Sequence, residues 1–367
     1  MYSTKKTLQR IAALTAALTA VMAISSGSGV QAKIEAKVGD KCTKAQYGKY
    51  TKVGAVRVRC TYKNKKYTWT KVATTTATTI PVKVDKSQWP KKFVIGAVPS
   101  ENAAAMTLKY KGLVQLFQEE LGIPVEFYSA TDYAGIIEAQ IANKVDLAFY
   151  GPFSYVIAKL NGAKIEPAGV AVSTATGVPG YRAYGIAKAN NTAVKTIADF
   201  KGKRICFVDP ASTSGTLYPT AGLLAAGIDP AKESTQYAGG HPQSVQAINK
   251  GTCDVGFAYD DILDKDVPGG KVSGVGASDI KVVWKSGLIA GSPIAVRLNM
   301  PQSLVDSVRN IVLNKANKTA MVKDGRCTTE ATCQIIEDSS WGFIKTTDSY
   351  YDGVRAVCES TKSTKCK

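Results

Sequence analysis

Two hydrophobic patterns divide this chain. Residues 56–62 and 66–70 alternate between apolar and polar positions on either side of Asn64 and Lys65, as in a β-hairpin. From residue 91 onward, short apolar runs alternate with longer segments in which apolar residues recur every three or four positions. The pattern predicts a small β module at residues 33–73, a low-complexity linker at 74–90, and then an α/β protein with largely parallel sheets.

The α/β part contains two successive series of predicted elements. We predict strands at 93–98, 125–128, 145–150, 184–187, 204–208, 234–237, 253–258, 281–284 and 294–296. We predict helices at 106–121, 133–143, 152–160, 216–226, 242–249 and 303–318. Because the chain crosses over near 184 and back near 284, we expect two lobes around a cleft. Residues 91–183 and 288–367 form the first lobe in this prediction, and residues 184–287 form the second.

The first 32 residues have the layout of a secretory signal peptide. A basic start with Lys5, Lys6 and Arg10 precedes an apolar run over residues 11–24, and small residues lead to Ala32. We therefore expect an exported protein, either extracellular or held in the cell envelope. No cysteine stands at the predicted cleavage position, so no lipid anchor is expected there. No later run approaches the roughly 18 apolar residues of a membrane span.

Eight cysteines in an exported chain favour disulfides. They fall in neighbouring pairs, which predicts the bridges Cys42–Cys60, Cys206–Cys253, Cys327–Cys333 and Cys358–Cys366. Zinc is the alternative, but the chain has no CxxC spacing and a single histidine, so no metal site is expected. A Cys42–Cys60 bridge would stabilise a β module too small to rely on a hydrophobic core.

Positive charge is concentrated near the N-terminus of the chain. The formal net charge is +18, and residues 33–92 contain sixteen Lys or Arg residues against three acidic ones. Such a segment favours nucleic acid, anionic lipid or an anionic wall polymer, or it forms a solvated surface without a partner. For an exported chain we expect no nucleic-acid partner, and we keep an anionic cell-wall polymer as a hypothesis.

Ser212, Thr213 and Ser214 are the most distinctive polar group. They follow a predicted strand and precede a predicted helix that stops at Gly227. Hydroxyl groups and the N–H groups at a helix N-terminus would meet there, and both favour a bound oxyanion. The alternative is an ordinary Ser or Thr N-cap without a ligand.

Other polar residues follow neighbouring predicted strands. Open α/β sheets bind ligands beyond the carboxyl ends of their strands. The residues in such positions are Ser100, Glu101, Asp132, Tyr133, Tyr150, His241, Tyr259, Asp260 and Asp261. This placement predicts a ligand site in the cleft.

Several segments together resemble the periplasmic phosphonate, phosphite and phosphate binding proteins of ABC transporters. They occur in the order of that family and cover most of residues 91–300. The matching segments are DYAGII at 132–137, NKVD at 143–146, YG at 150–151, PGY at 179–181, DPASTSG at 209–215, GH at 240–241, and residues 288–294 with Pro293 and Ile294.

The resemblance implies a type II periplasmic-binding-protein fold, in which two hinged α/β lobes close on the ligand. It implies that the oxyanion contacts Tyr133, Ser212, Thr213, Ser214 and His241, and that Tyr181 lines the cleft. The alternative for the tyrosines is packing between the lobes with the hydroxyl at the surface. The alternative for His241, which precedes Pro242, is a capping or solvent-facing role.

Two positions bear on ligand choice. In aminoalkylphosphonate binders of this family, acidic residues beyond the phosphonate pocket hold the ligand's ammonium group. Asp261 aligns with one of them, although Asp260 could serve instead, and Ser292 occupies the place of the other, before Pro293. We therefore hypothesise that Ser292 shifts preference away from aminoethylphosphonate, which leaves phosphate, phosphite and methylphosphonate.

The resulting hypothesis is an exported solute-binding protein of an ABC importer. It would act as a monomer without a cofactor and would deliver a phosphonate, phosphite or phosphate-type oxyanion to a membrane permease. The alternative is a wall-associated adhesion or scaffold protein, or a sensory binding protein, that uses the basic module. The chain has no GxSxG, HExxH or Walker A pattern, so we do not expect an enzyme.

Overall fold

The structure is a computed structural model that describes residues 38–53, 56–71, 84–101, 103–336 and 340–366. The chain forms two compact units, Met1–Val82 and Lys83–Lys367. The predicted signal peptide and residues 74–83 of the predicted linker lie outside the described residues.

The described part of the first unit is a three-stranded antiparallel sheet of β1 (Tyr50–Val53), β2 (Val56–Lys63) and β3 (Lys66–Lys71). Asn64 and Lys65 have φ angles of 51° and 60°, which suits the two-residue turn that the sequence predicts between β2 and β3. Buried Trp69 and the Cys42–Cys60 disulfide form a small core. The predicted hairpin is confirmed, and β1 extends it.

The second unit contains the remaining strands. In chain order they are β4 (Phe93–Ala97), β5 (Val125–Tyr128), β6 (Leu147–Phe149), β7 (Ile165–Val172), β8 (Gly180–Tyr181), β9 (Ala183–Lys188), β10 (Arg204–Phe207), β11 (Ser234–Tyr237), β12 (Val255–Tyr259), β13 (Ile280–Lys285), β14 (Ile289–Ala290), β15 (Pro293–Arg297) and β16 (Gly342–Ile344).

Helices connect these strands. The α-helices are α1 (Ala103–Leu121), α2 (Tyr133–Ile141), α3 (Pro152–Leu160), α4 (Tyr218–Ala225), α5 (His241–Lys250), α6 (Gln302–Asn310), α7 (Lys318–Lys323) and α8 (Asp352–Ser360). Wider π-helical turns occur at Thr213–Leu217, Ile262–Asp266 and Ile311–Lys315. Short 3₁₀ turns occur at Lys44–Gln46 in the module, and at Ile197–Phe200, Pro230–Lys232, Asp348–Tyr351 and Thr364–Cys366.

The first lobe is built on a six-stranded sheet in the order β16-β7-β15-β6-β4-β5. Successive residues of β4 point to opposite faces, so Phe93 and Ile95 pack with α1 and α6, whereas Val94 packs with α2, α3 and α8. Both faces of this sheet are therefore covered, as expected for an α/β layer.

The second lobe is built on a five-stranded sheet in the order β11-β10-β12-β9-β13. Ile205 and Phe207 pack on one face with Leu223 of α4, and Cys206 packs on the other face with Val245 of α5. The Cys206–Cys253 bridge lies in this lobe, and Cys327–Cys333 and Cys358–Cys366 are also disulfides. All eight cysteines thus pair as the sequence predicts.

The prediction of largely parallel sheets is wrong, because both sheets are mixed. β10 is parallel to β11 and β12, and β4 is parallel to β5 and β6. β9 and β15 run antiparallel to their neighbours. A parallel neighbour needs a long crossover, usually a helix, whereas β9 and β15 enter their sheets directly from the segments that connect the lobes.

The sequence pattern did not predict β7 or β16. Pro167 and Gly169 interrupt the apolar pattern of β7, and both residue types normally argue against a strand interior. β16 has only three residues, too few for periodicity to be recognised.

Two adjacent segments connect the lobes, one at Arg182 and Ala183 and the other at Ser286 and Gly287, and together we call them the hinge. β8 and β14 pair antiparallel immediately outside them. The Arg182 N–H donates to Asp260 Oδ2 at 2.9 Å, and the Ala183 N–H donates to Ser286 Oγ at 2.9 Å. Arg182 Nη1 donates to the backbone oxygen of Ser286 at 2.6 Å. These contacts support the proposal that the lobes divide near residues 183 and 287.

Candidate ligand-binding site between the lobes

A cavity of about 250 Å³ lies between the two lobes. Residues that follow strands of both sheets form its wall, as expected for open α/β sheets. The wall includes every ligand-binding residue that the sequence predicts, namely Tyr133, Tyr181, Ser212, Thr213, Ser214, His241, Asp260, Asp261 and Ser292. The fold therefore brings together positions that are up to 159 residues apart in the chain.

Four helical segments begin at this cavity, two from each lobe. In the first lobe, α2 begins at Tyr133 and α3 follows its N-cap Gly151. In the second lobe, a π-helical turn that continues into α4 begins at Thr213, and α5 begins at His241. Each helix N-terminus carries partial positive charge and N–H groups without intrahelical acceptors. Their convergence favours an anion.

Residues 212–214, which we call the hydroxyl turn, are held by local hydrogen bonds. The Ser212 N–H donates to the Asp209 backbone oxygen at 2.9 Å, and Ser212 Oγ accepts from the Gly215 N–H at 3.1 Å. A Cβ on Gly215 would stand 2.3 Å from the Cβ of Val208, so only glycine fits there. Ser212 is thus a helix N-cap, as the alternative interpretation held, and it also faces the cavity.

Two hydroxyl oxygens of the hydroxyl turn accept hydrogen bonds from backbone N–H groups. Its three residues are each at most 2% exposed. Ser212 Oγ accepts from Gly215, and Thr213 Oγ1 accepts from the Phe153 N–H at 2.8 Å. A hydroxyl oxygen that accepts a backbone hydrogen bond keeps its own hydrogen for another partner. These groups can therefore donate to an oxyanion in the cavity.

Direct hydrogen bonds join the two lobes around the cavity. Among the described residues they include Phe153 N–H to Thr213 Oγ1 at 2.8 Å, Tyr133 N–H to Asp209 Oδ2 at 3.3 Å, and His241 N–H to the Ser100 backbone oxygen at 3.0 Å. Each comes from the first turn of a helix. The same helix ends that face the cavity thus also hold the lobes together.

Two phenols lie beside the hydroxyl turn. Burial raises the pKa of Tyr133, the charge of Asp209 raises it further, and a hydrogen bond with Ser212 acts in the opposite direction. Burial likewise raises the pKa of Tyr181, against hydrogen bonds with the hydroxyl turn. Both phenols stay protonated near neutral pH and are neutral hydrogen-bond donors.

His241 presents a neutral imidazole to the cavity. It is 3% exposed, and its Nδ1 accepts from the Tyr259 N–H at 3.2 Å. The proton of the neutral ring is therefore on Nε2, which acts as a donor. Burial, together with the positive charge of Lys109, lowers the pKa of His241 to about 3.

We expect this burial of His241 to appear in the pH dependence of stability. Because the unfolded ring titrates near 6.5 and the folded ring near 3, the stabilisation is present above about pH 6.5 and is lost as the pH falls toward 3. The wild-type unfolding free energy should fall by up to about 1.4 kcal/mol per pH unit below pH 6.5.

The matched variant is His241→Gln, which keeps an N–H donor and does not titrate. Urea unfolding between about pH 6.5 and 5 should give a flatter profile for this variant than for the wild type. Profiles of equal slope would contradict a buried neutral His241.

The two predicted acidic residues have different partners within the chain. Asp260 accepts a hydrogen bond from the hinge N–H of Arg182 at 2.9 Å, and burial raises the pKa of its carboxyl group. Asp261 forms an ion pair with Lys265 at 2.9 Å. Ser292 lies in the cavity wall on the first-lobe side, beside Ala171, whose N–H donates to the Ser292 backbone oxygen at 3.2 Å.

Lys265 is a charged cavity residue that sequence reasoning missed. It stands in the π-helical turn Ile262–Asp266, four residues after Asp261. Residues four positions apart on a helical segment can form an ion pair, and this spacing is the sequence signal that could have identified Lys265. Ile336 and Ser340 also line the cavity, but they come from the distant C-terminal region, which no local pattern links to the site.

The described residues show neither a metal-binding cluster nor a membrane span. No group of three or more His, Cys, Asp or Glu side chains among them is arranged to hold a metal ion. None of the described helices is long and apolar enough to cross a bilayer.

Two α/β lobes, joined by a hinge around a cavity of this kind, define a type II periplasmic binding protein. The sequence model of the family "ABC transporter, phosphonate, periplasmic substrate-binding protein" matches residues 95–351. The chain therefore belongs to this family of ABC-transporter substrate-binding proteins, which confirms the resemblance drawn from the motifs.

Individual relatives agree with this assignment. The phosphate-import protein PhnD of Mycolicibacterium smegmatis is 41% identical over 288 residues, covering 76% of this chain and 88% of the relative. The phosphonates-binding periplasmic protein of Escherichia coli is 29% identical over 231 residues, covering 61% of this chain and 66% of the relative.

Solved structures support the fold. PhnD1 of Prochlorococcus marinus, in complex with methylphosphonate, has a TM-score of 0.64 and 17% identity, covering 75% of this chain and 99% of that one. A binding protein component of an ABC phosphonate transporter from Pseudomonas aeruginosa has a TM-score of 0.62 and 22% identity, covering 74% and 86%. These likenesses establish the type II fold that the sequence predicts.

Proposed function

We propose that this exported chain captures a small phosphorus oxyanion between its lobes and delivers it to a membrane permease. Family membership supports a role in ABC import. The Mycolicibacterium relative is named for phosphate import, and the Prochlorococcus structure contains methylphosphonate. In this proposal, the ligand is held by Tyr133, Tyr181, the hydroxyl turn and His241, and is released unchanged.

The proposal rests on the four helix N-termini that converge on the cavity and on the uncharged O–H and N–H donors beside them. Such donors stabilise an anion without a lysine or arginine at the head group. Each hydrogen bond to a charged group contributes roughly 1.5–3 kcal/mol. About five or six of them can support about micromolar binding after the costs of association.

Ligand-dependent stabilisation tests the proposal directly. A ligand that binds the folded state stabilises it by about 2.7 kcal/mol at 100 times its Kd. We therefore expect phosphate, phosphite or methylphosphonate at millimolar concentration to raise the melting temperature by roughly 5 °C or more. Sodium chloride at matched ionic strength is the control. Melting curves that no phosphorus oxyanion shifts beyond this control would contradict the proposal.

The choice among these ligands involves Ser292. Its uncharged side chain lines the cavity and offers no carboxylate to an ammonium group. We propose that it disfavours aminoethylphosphonate relative to methylphosphonate and phosphate. Calorimetry that finds aminoethylphosphonate to be much the tightest ligand would contradict this part of the proposal.

For the basic module we propose a role in retention at an anionic cell-wall polymer. Its described residues expose lysines on the sheet and its connections, among them Lys41, Lys44, Lys49 and Lys52. Electrostatic binding of this kind weakens with salt. Deleting residues 33–73, or washing cells at about 1 M salt, should release the protein into the medium. Unchanged wall association after both treatments would exclude this role.

A further inference from the structure

An ion pair lies in the wall of the cavity, away from the proposed head-group contacts. Lys265 Nζ is 2.9 Å from Asp261 Oδ1 and 3.0 Å from Asp261 Oδ2, and both residues line the cavity. We propose that Lys265 is an internal counter-ion that makes the site selective for phosphorus oxyanions without an ammonium group. This inference rests on the proposed function and adds a specificity-determining residue to it.

The local fold keeps Lys265 close to Asp261. Asp261 follows β12 directly, and the chain then turns into the π-helical segment Ile262–Asp266. Ile262 is fully buried in the second lobe and anchors this segment. The lysine side chain is about half exposed, at 51%, and that of Asp261 is 31% exposed. The pair is therefore open to both solvent and cavity, where a ligand can compete with it.

The charges around the cavity explain what the pair does. Among the described lining residues, the carboxylates are Asp260 and Asp261, and the cation is Lys265. Asp260 is engaged by the hinge N–H of Arg182. Without Lys265, the Asp261 carboxylate would repel an incoming oxyanion and attract a ligand ammonium group. With Lys265 bound to it, the repulsion is offset and the carboxylate already has a cation.

A second acidic residue beside the cleft also forms an ion pair with a lysine. Glu101 directly follows the lining residue Ser100, and its Oε1 is 2.6 Å from Lys109 Nζ. Their side chains are 22% and 11% exposed, so this pair is more enclosed than the first. Carboxylates around the cavity thus already have partners from the chain itself, which is the pattern expected of a site for wholly anionic ligands.

A ligand ammonium group must displace the amine of Lys265 to reach Asp261. The lysine is tethered four residues away, so its effective concentration at the carboxylate is high, of millimolar order or above. The half-exposed setting limits the effect, because solvent and salt screen such pairs. We therefore expect selectivity changes of about tenfold, as opposed to several orders of magnitude.

Calorimetry at low ionic strength on Lys265→Met and Lys265→Arg tests the inference. Methionine keeps much of the side-chain length without the charge, and arginine keeps the charge. Relative to the wild type, Lys265→Met should bind 2-aminoethylphosphonate about tenfold more tightly. It should bind methylphosphonate more weakly, by a factor of about three or more. Lys265→Arg should bind both within about twofold of the wild type.

The double variant Lys265→Met/Asp261→Asn identifies the carboxylate as the cause. It should lose the gain for 2-aminoethylphosphonate and regain most of the affinity for methylphosphonate. If Lys265→Met leaves the ratio of the two affinities unchanged while both compounds bind, the counter-ion role is wrong and the proposed function stands. If the folded wild type binds neither these compounds nor phosphate, the proposed function fails, and this inference with it.

Discussion

Removing the three hydroxyls of Ser212, Thr213 and Ser214 together should weaken capture of a phosphorus oxyanion by about a thousandfold. The variant is Ser212→Ala/Thr213→Val/Ser214→Ala, in which valine preserves the shape of threonine. Hydrogen bonds from neutral donors to a charged ligand contribute roughly 1.5–3 kcal/mol each. Three of them exceed about 4 kcal/mol, and every 1.4 kcal/mol corresponds to a tenfold change in Kd.

The same substitutions have a smaller effect on folding. Ser212 caps the helix through the Gly215 N–H, and removal of such a cap costs about 1 kcal/mol. Thr213 Oγ1 also accepts a hydrogen bond from the Phe153 N–H of the other lobe. We expect the triple variant to fold with a melting temperature lowered by a few degrees.

Thr213→Ser is the matched control, because it keeps the hydroxyl and loses only a methyl group. It should bind within a few-fold of the wild type, whereas the triple variant should show no binding at ligand concentrations that saturate the control. Isothermal calorimetry, with circular dichroism to establish folding, measures both. A folded triple variant with wild-type affinity would mean that the ligand is held elsewhere.

Gly215→Ala should destabilise the protein by about 3 kcal/mol or more. The added Cβ would lie 2.3 Å from the Cβ of Val208 and 2.8 Å from Ser212 Oγ, well inside the ordinary contact distance of about 3.5–4 Å. The Val208 Cβ is attached directly to the backbone of the strand end and cannot rotate away. Relief therefore requires the backbone to shift, and overpacking of this kind costs typically 1–3 kcal/mol and occasionally more.

The backbone shift would also move the hydroxyl turn, since Gly215 donates its N–H to Ser212. We therefore expect ligand affinity to fall by tenfold or more even at temperatures where the variant is folded. Positioning errors of about an ångström are sufficient for such losses in a site that relies on directed hydrogen bonds.

Gly353→Ala provides the control for this glycine. Gly353 lies in α8, has no positive φ angle, and an added Cβ would meet nothing within 4 Å. Alanine in a helix is favoured over glycine by roughly 0.5–1 kcal/mol, so this variant should be slightly stabilised. Urea unfolding of both variants gives the comparison. Equal stabilities for the two variants would refute the tight packing of Gly215 on Val208.

The sequence alone determined features that depend on neighbouring residues. The turn at Asn64 and Lys65, the strand at Ser234–Tyr237 and the helix at Pro152–Leu160 lie where the local pattern predicts them. The disulfide pairing also followed from the order of the cysteines, since each one pairs with its neighbour among the cysteines along the chain. Likewise, the position of the hydroxyl turn between a strand and a helix predicted a helix N-terminus, because capping is a property of a few consecutive residues.

Sequence order was also enough to suggest where polar residues would collect. Residues that follow strands, such as Tyr133 in the first lobe and His241 in the second, lie in the cavity wall, because open α/β sheets bind ligands beyond the carboxyl ends of their strands. The family resemblance added Tyr181 and Ser292, which that rule did not select.

Only the tertiary structure decided how these parts act together. The antiparallel placement of β9 and β15 depends on where the chain crosses between lobes, which hydrophobic periodicity does not encode. The neutral state of His241 depends on burial and on Lys109, 132 residues earlier in the chain. The bond from Phe153 to Thr213 likewise joins opposite lobes. Electrostatics and packing act through space, so the convergence of four helix ends on one cavity appears only when both lobes are folded.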